Sequence, residues 1–380
     1  MRKLYEDKLI ELIRSVVSCG GGEADVLRGI GADTEREFLE FAKRHQLDYL
    51  VAYAYYTAHD ERYFNLFFNL LNFTEQQIHA AREVSEALEQ AGIAHIPLKG
   101  AVIRALYPER WMRNSCDVDV LVKEDDLYKA KAVVEALGFE MRGDKTVHDI
   151  TFYRGSVHLE LHFQLIEDYR MKAPSKILLE IWDAALLSDG ARYTYRLPDE
   201  YFYFYHIAHM AKHFGDGGCG IRPFMDLWVL NHRREFSREG RDALLARGEL
   251  ASFEAEMRKL SEHWFSDGDG TGLEFIERYI LVGGAYGNVH LGREVKKTRG
   301  GRLKFFLSRV FLPYGPMSRK YKVLKKHPYL LPVFEVWRWI EAVFKDRKHF
   351  SAELKEGLSK PKNMDELDRT LARLGLESFK

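Results

Sequence analysis

Asp117-Val118-Asp119-Val120-Leu121-Val122 is the stretch on which the reading of this chain turns. Acids alternate with β-branched aliphatic residues and an apolar run follows, which marks a strand with one polar and one apolar face. Successive strand side chains point to opposite sides, so the carboxylates of Asp117 and Asp119 project together while Val118 and Val120 enter a core. Two carboxylates this close repel one another, and a strand that keeps both calls for a cation. Mg²⁺, or Mn²⁺ in its place, suits oxygen ligands of this kind.

Upstream, residues 93–98 read as a short strand and 100–106 as a short helix that Pro108 ends. The first amides of that helix offer a seat for phosphate, and Lys99 adds a point charge beside them. Downstream, 124–137 is helical up to Gly138 and 139–142 is a short strand, while 150–154 and 157–165 form a hairpin about Gly155-Ser156. In His158-Leu159-Glu160-Leu161-His162, alternation sets His158, Glu160 and His162 on one face, and Glu160 is placed to complete a two-metal carboxylate set. The plainer alternative is that each strand has one solvated face.

Residues 1–73 read as helices, with Leu4, Leu9, Ile10, Ile13 and Val16 at helical spacing. The aromatic run from Tyr53 to Phe68 reads as packing, and Thr74 with Gln77 as a capping box that opens a helix stopped by Gly92. After Leu197-Pro198 the chain returns to helices at 200–214, 223–232, 250–265 and 273–281. The fold class is therefore α+β: a small mixed sheet within 74–170, flanked by an N-terminal helical region, 1–73, and a C-terminal helical region, 171–380. The cleft between them is the expected site.

Taken in order, Leu98-Lys99-Gly100, Leu106-Tyr107-Pro108, Arg113, the Asp117 to Val122 run and Glu160-Leu161-His162-Phe163 carry a likeness. They resemble the uncharacterised bacterial nucleotidyltransferase family of the DNA polymerase β-like superfamily. Segment 206–230, with His209, His213 and Asp226, fits the same pattern, so the resemblance covers most of the chain from about residue 75. It implies transfer of a nucleoside monophosphate from an NTP, ATP in first place, to an acceptor hydroxyl with release of pyrophosphate. By the same resemblance Asp117, Asp119 and Glu160 are the catalytic, metal-binding carboxylates, and Glu160 also helps to deprotonate the acceptor. Lys99 and Gly100 seat the triphosphate, and Arg113, His209 and His213 contact nucleotide. Two departures stand out: Lys99-Gly100 lies where the superfamily carries Gly-Ser, and Glu160 where it often has Asp. Two further readings stay open, a non-catalytic nucleotide-binding or regulatory module and a toxin-like enzyme that modifies tRNA or protein. The acceptor, whether small molecule, peptide or biopolymer, is not legible.

Composition sets the outer bounds. A chain of 380 residues has room for two or three folded units, and 46% hydrophobic with 30% charged residues excludes a disordered polyelectrolyte. The net charge of zero gives no general attraction to nucleic acid or anionic membrane. Residues 293–326 are locally basic, with twelve Lys or Arg against the single acid Glu294, and read as a solvated helical face or an anion-binding surface. Cys19, Cys116 and Cys219 form no pairing motif, the N-terminus carries Glu6 and Asp7 where a signal peptide would need an apolar run, and no stretch approaches the ~18 apolar residues of a span. A cytoplasmic protein without a membrane span is expected.

Overall fold

Helices open the chain: α1 (Arg2–Val17), α2 (Glu23–Val26), α3 (Ala32–Arg44), α4 (Asp48–Thr57) and the long α5 (Phe64–Gln90). The mixed unit follows as β1 (His95–Pro97), α6 (Gly100–Ile103), β2 (Val118–Val122), α7 (Leu127–Ala136), β3 (Glu140–Met141), β4 (Asp149–Arg154) and β5 (Val157–His162). Then come α8 (Lys172–Leu179), α9 (Ile181–Ala184), a two-stranded hairpin of β6 (Leu186–Leu187) and β7 (Tyr195–Arg196), α10 (Asp199–Gly215) and α11 (Arg222–Arg233). The series continues with α12 (Arg238–Arg247), α13 (Ala251–Phe265) and α14 (Glu274–Gly283), and Leu331–Lys345 and Met364–Arg373 are helical too. The structure is a computed structural model; it describes residues 2–18, 23–142, 146, 148–166, 171–215, 217–285, 287, 311–312, 314, 317–318, 321–345 and 364–376.

Five strands form one sheet in the order β1-β2-β5-β4-β3. β2 and β5 run parallel, and the other neighbours are antiparallel. A parallel pair needs a long crossover, which α7, β3 and β4 supply between β2 and β5. The β4–β5 hairpin closes at Gly155-Ser156, with Arg154 opposite Val157, as the two-residue turn predicts.

Alternation along the strands sorts the two faces. Val118, Val120, Val122, Leu159, Leu161 and Phe152 pack with Ala80, Val84 and Leu88 of α5 and with Leu127, Ala130 and Val134 of α7. Phe152 is fully buried, and truncating such a side chain to alanine costs about 3–5 kcal/mol. Leu121 points the other way and joins a larger core that combines Leu9 of α1 and Leu50 of α4 with Ile207, Phe224 and Phe253 of the later helices. The apolar half of the strand pattern thus fixes the sheet on α5 and α7. Its polar half is turned toward the helical wall.

Two local readings are corrected. Thr74 and Gln77 open no helix, because α5 already starts at Phe64 and runs through residues 73 and 74; Thr74 Oγ1 donates to the carbonyl of Leu70 at 3.0 Å. No glycine or proline interrupts that stretch, so the helix propagates past a polar pair that elsewhere could cap it. The glycine-rich segment 215–220, which reads from the sequence as a flexible connection, is no loose loop either. A Cβ on Gly220 would meet Ala285 Cα at 2.8 Å, and one on Gly283 would meet the Gly217 carbonyl at 2.7 Å, so two glycine-rich segments pack backbone on backbone.

The aromatic residues of the N-terminal helices pack on one another as expected, Tyr55 and Tyr63 stacking at 4.1 Å and Tyr53 meeting Trp111 edge-on at 4.8 Å. Most of the basic run 293–326 lies outside the described residues. Among those described, no helix is long and apolar enough to cross a membrane.

Candidate active site

The parallel register makes Asp119 and Glu160 direct Cα partners. Asp117 lies one residue ahead of β2, and His158 and His162 flank Glu160 on the same face of β5. Ligand atoms of Asp117, His158 and Glu160 lie within 4.8 Å of one another, and so do those of Asp119, Glu160 and His162. The three predicted carboxylates are therefore brought together, with Glu160 common to both groups.

Two cations already serve this cluster. Lys99 Nζ donates to Asp119 Oδ1 at 2.7 Å, and His162 Nε2 lies 2.8 Å from the same oxygen and 3.3 Å from Glu160 Oε2. The side chain of Asp119 is only 1% exposed, whereas Asp117, Glu160, His162 and Lys99 line a cavity of about 310 Å³. Asp119 is thus reached from the cavity through its two partners.

Lys99 stands in the turn between β1 and α6 with φ 42° and ψ −117°, a region that costs a non-glycine residue about 1–3 kcal/mol. The ion pair with Asp119 offsets that strain. Gly100 follows because nothing larger fits: a Cβ there would fall 1.9 Å from Ser115 Oγ. The N–H groups of Ala101, Val102 and Ile103 donate to the carbonyls of Leu98 and Lys99, since α6 is a single turn that closes on itself.

Arg113 borders the same cavity and is held there by protein partners. Its Nε and Nη2 donate to the two oxygens of Asp226, each at 2.7 Å, and its Nη1 turns to the Asn114 carbonyl and to Ser115. Tyr107 also donates to Asp226, at 2.7 Å, so the loop before β2 is clamped onto α11 by a buried network. The fork of Arg113 borders the cavity but is spent on protein. Arg222, at the start of α11, borders the same cavity and contacts only Asn114 among the hydrogen bonds it makes, at 3.2 Å to Oδ1 and 3.4 Å to the carbonyl.

The opposite wall is α10. Tyr205, His209, Lys212 and His213 line the cavity, and His209 and His213 approach Nε2 to Nε2 at 3.1 Å. One ring must donate its N–H to the lone pair of the other, so at least one of the two is neutral. His206, by contrast, is tied to the Pro223 carbonyl at 2.9 Å.

The charges are strongly polarised. Burial disfavours the ionised form of Asp119, yet the Lys99 ammonium and the hydrogen bond from His162 hold it well below the usual carboxylate range. Asp117 goes the other way: burial and the charges of Asp119 and Glu160 raise it. Burial also opposes ionisation of Glu160, but its hydrogen bond from His162 leaves it lowered. Burial works against the charge on His162, and hydrogen bonds to Asp119 and Glu160 raise it to about 9. Burial, His213 and Lys99 push His209 well below the usual histidine value, so it is neutral. Neighbouring carboxylates of unequal basicity thus share one cleft, unlike the carboxylates of a fully solvated sheet face.

Residues 32–266 match the family described as uncharacterised nucleotidyltransferase. The chain belongs to that family. No curated protein and no solved structure matches it. The nucleotidyltransferase match starts well ahead of the sheet, within the N-terminal helices, because α3 and α4 share the core of the helical wall; it ends at α13, before the basic run. Nucleotidyl transfer is the general function this membership supports.

Some residues that line this cavity carried no role in the sequence reading. His162 was on the right face of its strand, but only the β2–β5 register puts its imidazole on Asp119. Tyr205 and Lys212 had no signal beyond membership of an aromatic helix, and the pair His148-Asp149 none at all.

Proposed function

We propose that this chain transfers a nucleoside monophosphate from an NTP, ATP in first place, to an acceptor hydroxyl, by a two-metal mechanism. The observation that carries the reading is the place of Glu160 in both ligand groups, opposite Asp119 and beside Asp117. The donor set fits a hard divalent ion: three carboxylates supply oxygen, and both cations on Asp119 sit on Oδ1, leaving Oδ2 without a hydrogen bond among the described residues. Asp117, Asp119 and Glu160 would hold Mg²⁺ or Mn²⁺, which when bound supplies charge neutralisation on the triphosphate and polarises the acceptor oxygen.

The remaining work belongs to the chain itself. The acceptor oxygen attacks the α-phosphorus, the bond to the β-phosphate oxygen breaks, and pyrophosphate leaves. Glu160, half-buried and kept ionised by His162, accepts the proton of the acceptor hydroxyl. Lys99 leaves Asp119 for the triphosphate, and Arg222 supplies the second phosphate contact that the clamped fork of Arg113 cannot. His209, neutral and paired with His213, offers a hydrogen bond to the nucleotide or acceptor from the α10 wall.

One observation favours a second reading. Lys99 and His162 already neutralise Asp119, which is what a non-catalytic nucleotide-binding module would need in place of metal. The test is calorimetric titration of each of the four NTPs with and without Mg²⁺, joined to an assay for pyrophosphate release, on the natural protein and on Asp117→Asn/Asp119→Asn. Metal-dependent binding and turnover, both lost in the double variant, support transfer. Binding that ignores Mg²⁺ and yields no pyrophosphate moves the assignment to the non-catalytic module.

A further inference from the structure

A third ligand group also includes His162. Nitrogens of His148 and His162 and an oxygen of Asp149 come within 4.8 Å of one another. The antiparallel β4–β5 register makes Asp149 and His162 Cα partners, and the His148 and His162 rings are stacked with centroids 6.0 Å apart. His148 Nε2 is 3.3 Å from Asp149 Oδ2.

His162 is only 4% exposed and its two nitrogens differ. Nε2 is committed to Asp119 and Glu160, whereas Nδ1 is buried with no hydrogen-bond partner among the described residues. An orphaned nitrogen is costly in the interior, and a metal ion removes that cost. The arrangement also has the outer support that metal-binding imidazoles use: a carboxylate, Asp119, accepts from the far ring nitrogen. Asp149 is oriented in the same manner, its Oδ1 accepting from Thr146 Oγ1 at 2.5 Å, and Thr146 Oγ1 lies 3.4 Å from His148 Nδ1.

We propose that His148, Asp149 and His162, the last through Nδ1, bind a divalent first-row transition ion, Zn²⁺ in first place. Two imidazoles and one carboxylate select such an ion over Mg²⁺, which prefers an all-oxygen set. Occupancy fixes the tautomer of His162 with its proton on Nε2 and so holds the hydrogen bond to Asp119 in place. The site differs from the two carboxylate groups in lacking Glu160, and it meets one of them at His162.

The test is equilibrium dialysis of Zn²⁺ against the metal-freed full chain in excess Mg²⁺, with Co²⁺ as a visible-absorption probe of imidazole ligation. One zinc bound per chain is expected, weakened ~10–100-fold in His148→Ala and retained in Glu160→Gln. Where His148→Ala fails to fold, His148→Gln gives the same reading. No zinc bound, zinc kept by the His148 variants, or zinc lost in Glu160→Gln overturns the proposal.

Discussion

Lys99 Nζ lies 2.7 Å from Asp119 Oδ1, and the backbone of the same lysine is held at positive φ. The chain thus places its own cation on one of its buried carboxylates. Removing the partner of a buried charge costs about 3–5 kcal/mol. Lys99→Met is therefore expected to lose stability of that order in chelator and to regain more of it with Mg²⁺ than the natural protein does. Urea unfolding with and without Mg²⁺ reads both, and an equal response to Mg²⁺ in the two proteins would show that lysine and metal do not compete for Asp119.

Arg113 and Asp226 are joined by two 2.7 Å bonds inside the protein. Arg113→Ala leaves Asp226 buried and uncompensated, so a loss of about 3–5 kcal/mol is expected. NTP affinity should change little in the protein that remains folded. A variant of normal stability with NTP binding weakened more than tenfold would return Arg113 to the phosphate role that its sequence position suggested.

The pH dependence of stability follows from His162. Burial opposes its charge, but its bonds to Asp119 and Glu160 lift it from 6.5 to about 9 in the folded chain. Its contribution is complete below pH 6.5 and is lost as pH rises through about 9, on the order of 3 kcal/mol in all. Unfolding free energies taken across that window in chelator should fall for the natural protein and stay flatter in His162→Gln. Identical slopes would remove His162 as the titrating group.

Gly100 is needed for close approach, since its missing Cβ makes room for Ser115 Oγ. Gly100→Ala should destabilise by about 1–3 kcal/mol, the cost of inserting a methyl group into a packed site. Ser115→Gly, by removing the clashing atoms, should return part of that loss in the double variant. Additive losses would mean that the turn fails for another reason.

Mutating the carboxylates separates chemistry from folding. Asp117, raised by burial and its two acidic neighbours, is held at a folding cost that Asp117→Asn relieves. That variant is expected to be at least as stable as the natural protein while losing at least ~10²-fold in turnover. Retained turnover would place the metal ligands elsewhere.

The sequence by itself determined the local order of this protein. Alternation in the Asp117 to Val122 and His158 to His162 runs required strands with acids on one face, and the two-residue turn at Gly155-Ser156 required the β4–β5 hairpin. Four of the later helices, α10, α11, α13 and α14, could be read from their apolar spacing within a residue or two of their ends, because that spacing reports which face is buried. It did not determine what each polar side chain meets. Only the parallel register of β2 and β5 set His162 and Glu160 beside Asp119, only the docking of α11 spent Arg113 on Asp226, and only the brevity of α6 turned its amides inward. Periodicity is a property of one segment and its burial. A partner at 2.7 Å is a property of two segments far apart in the chain, which only packing brings together.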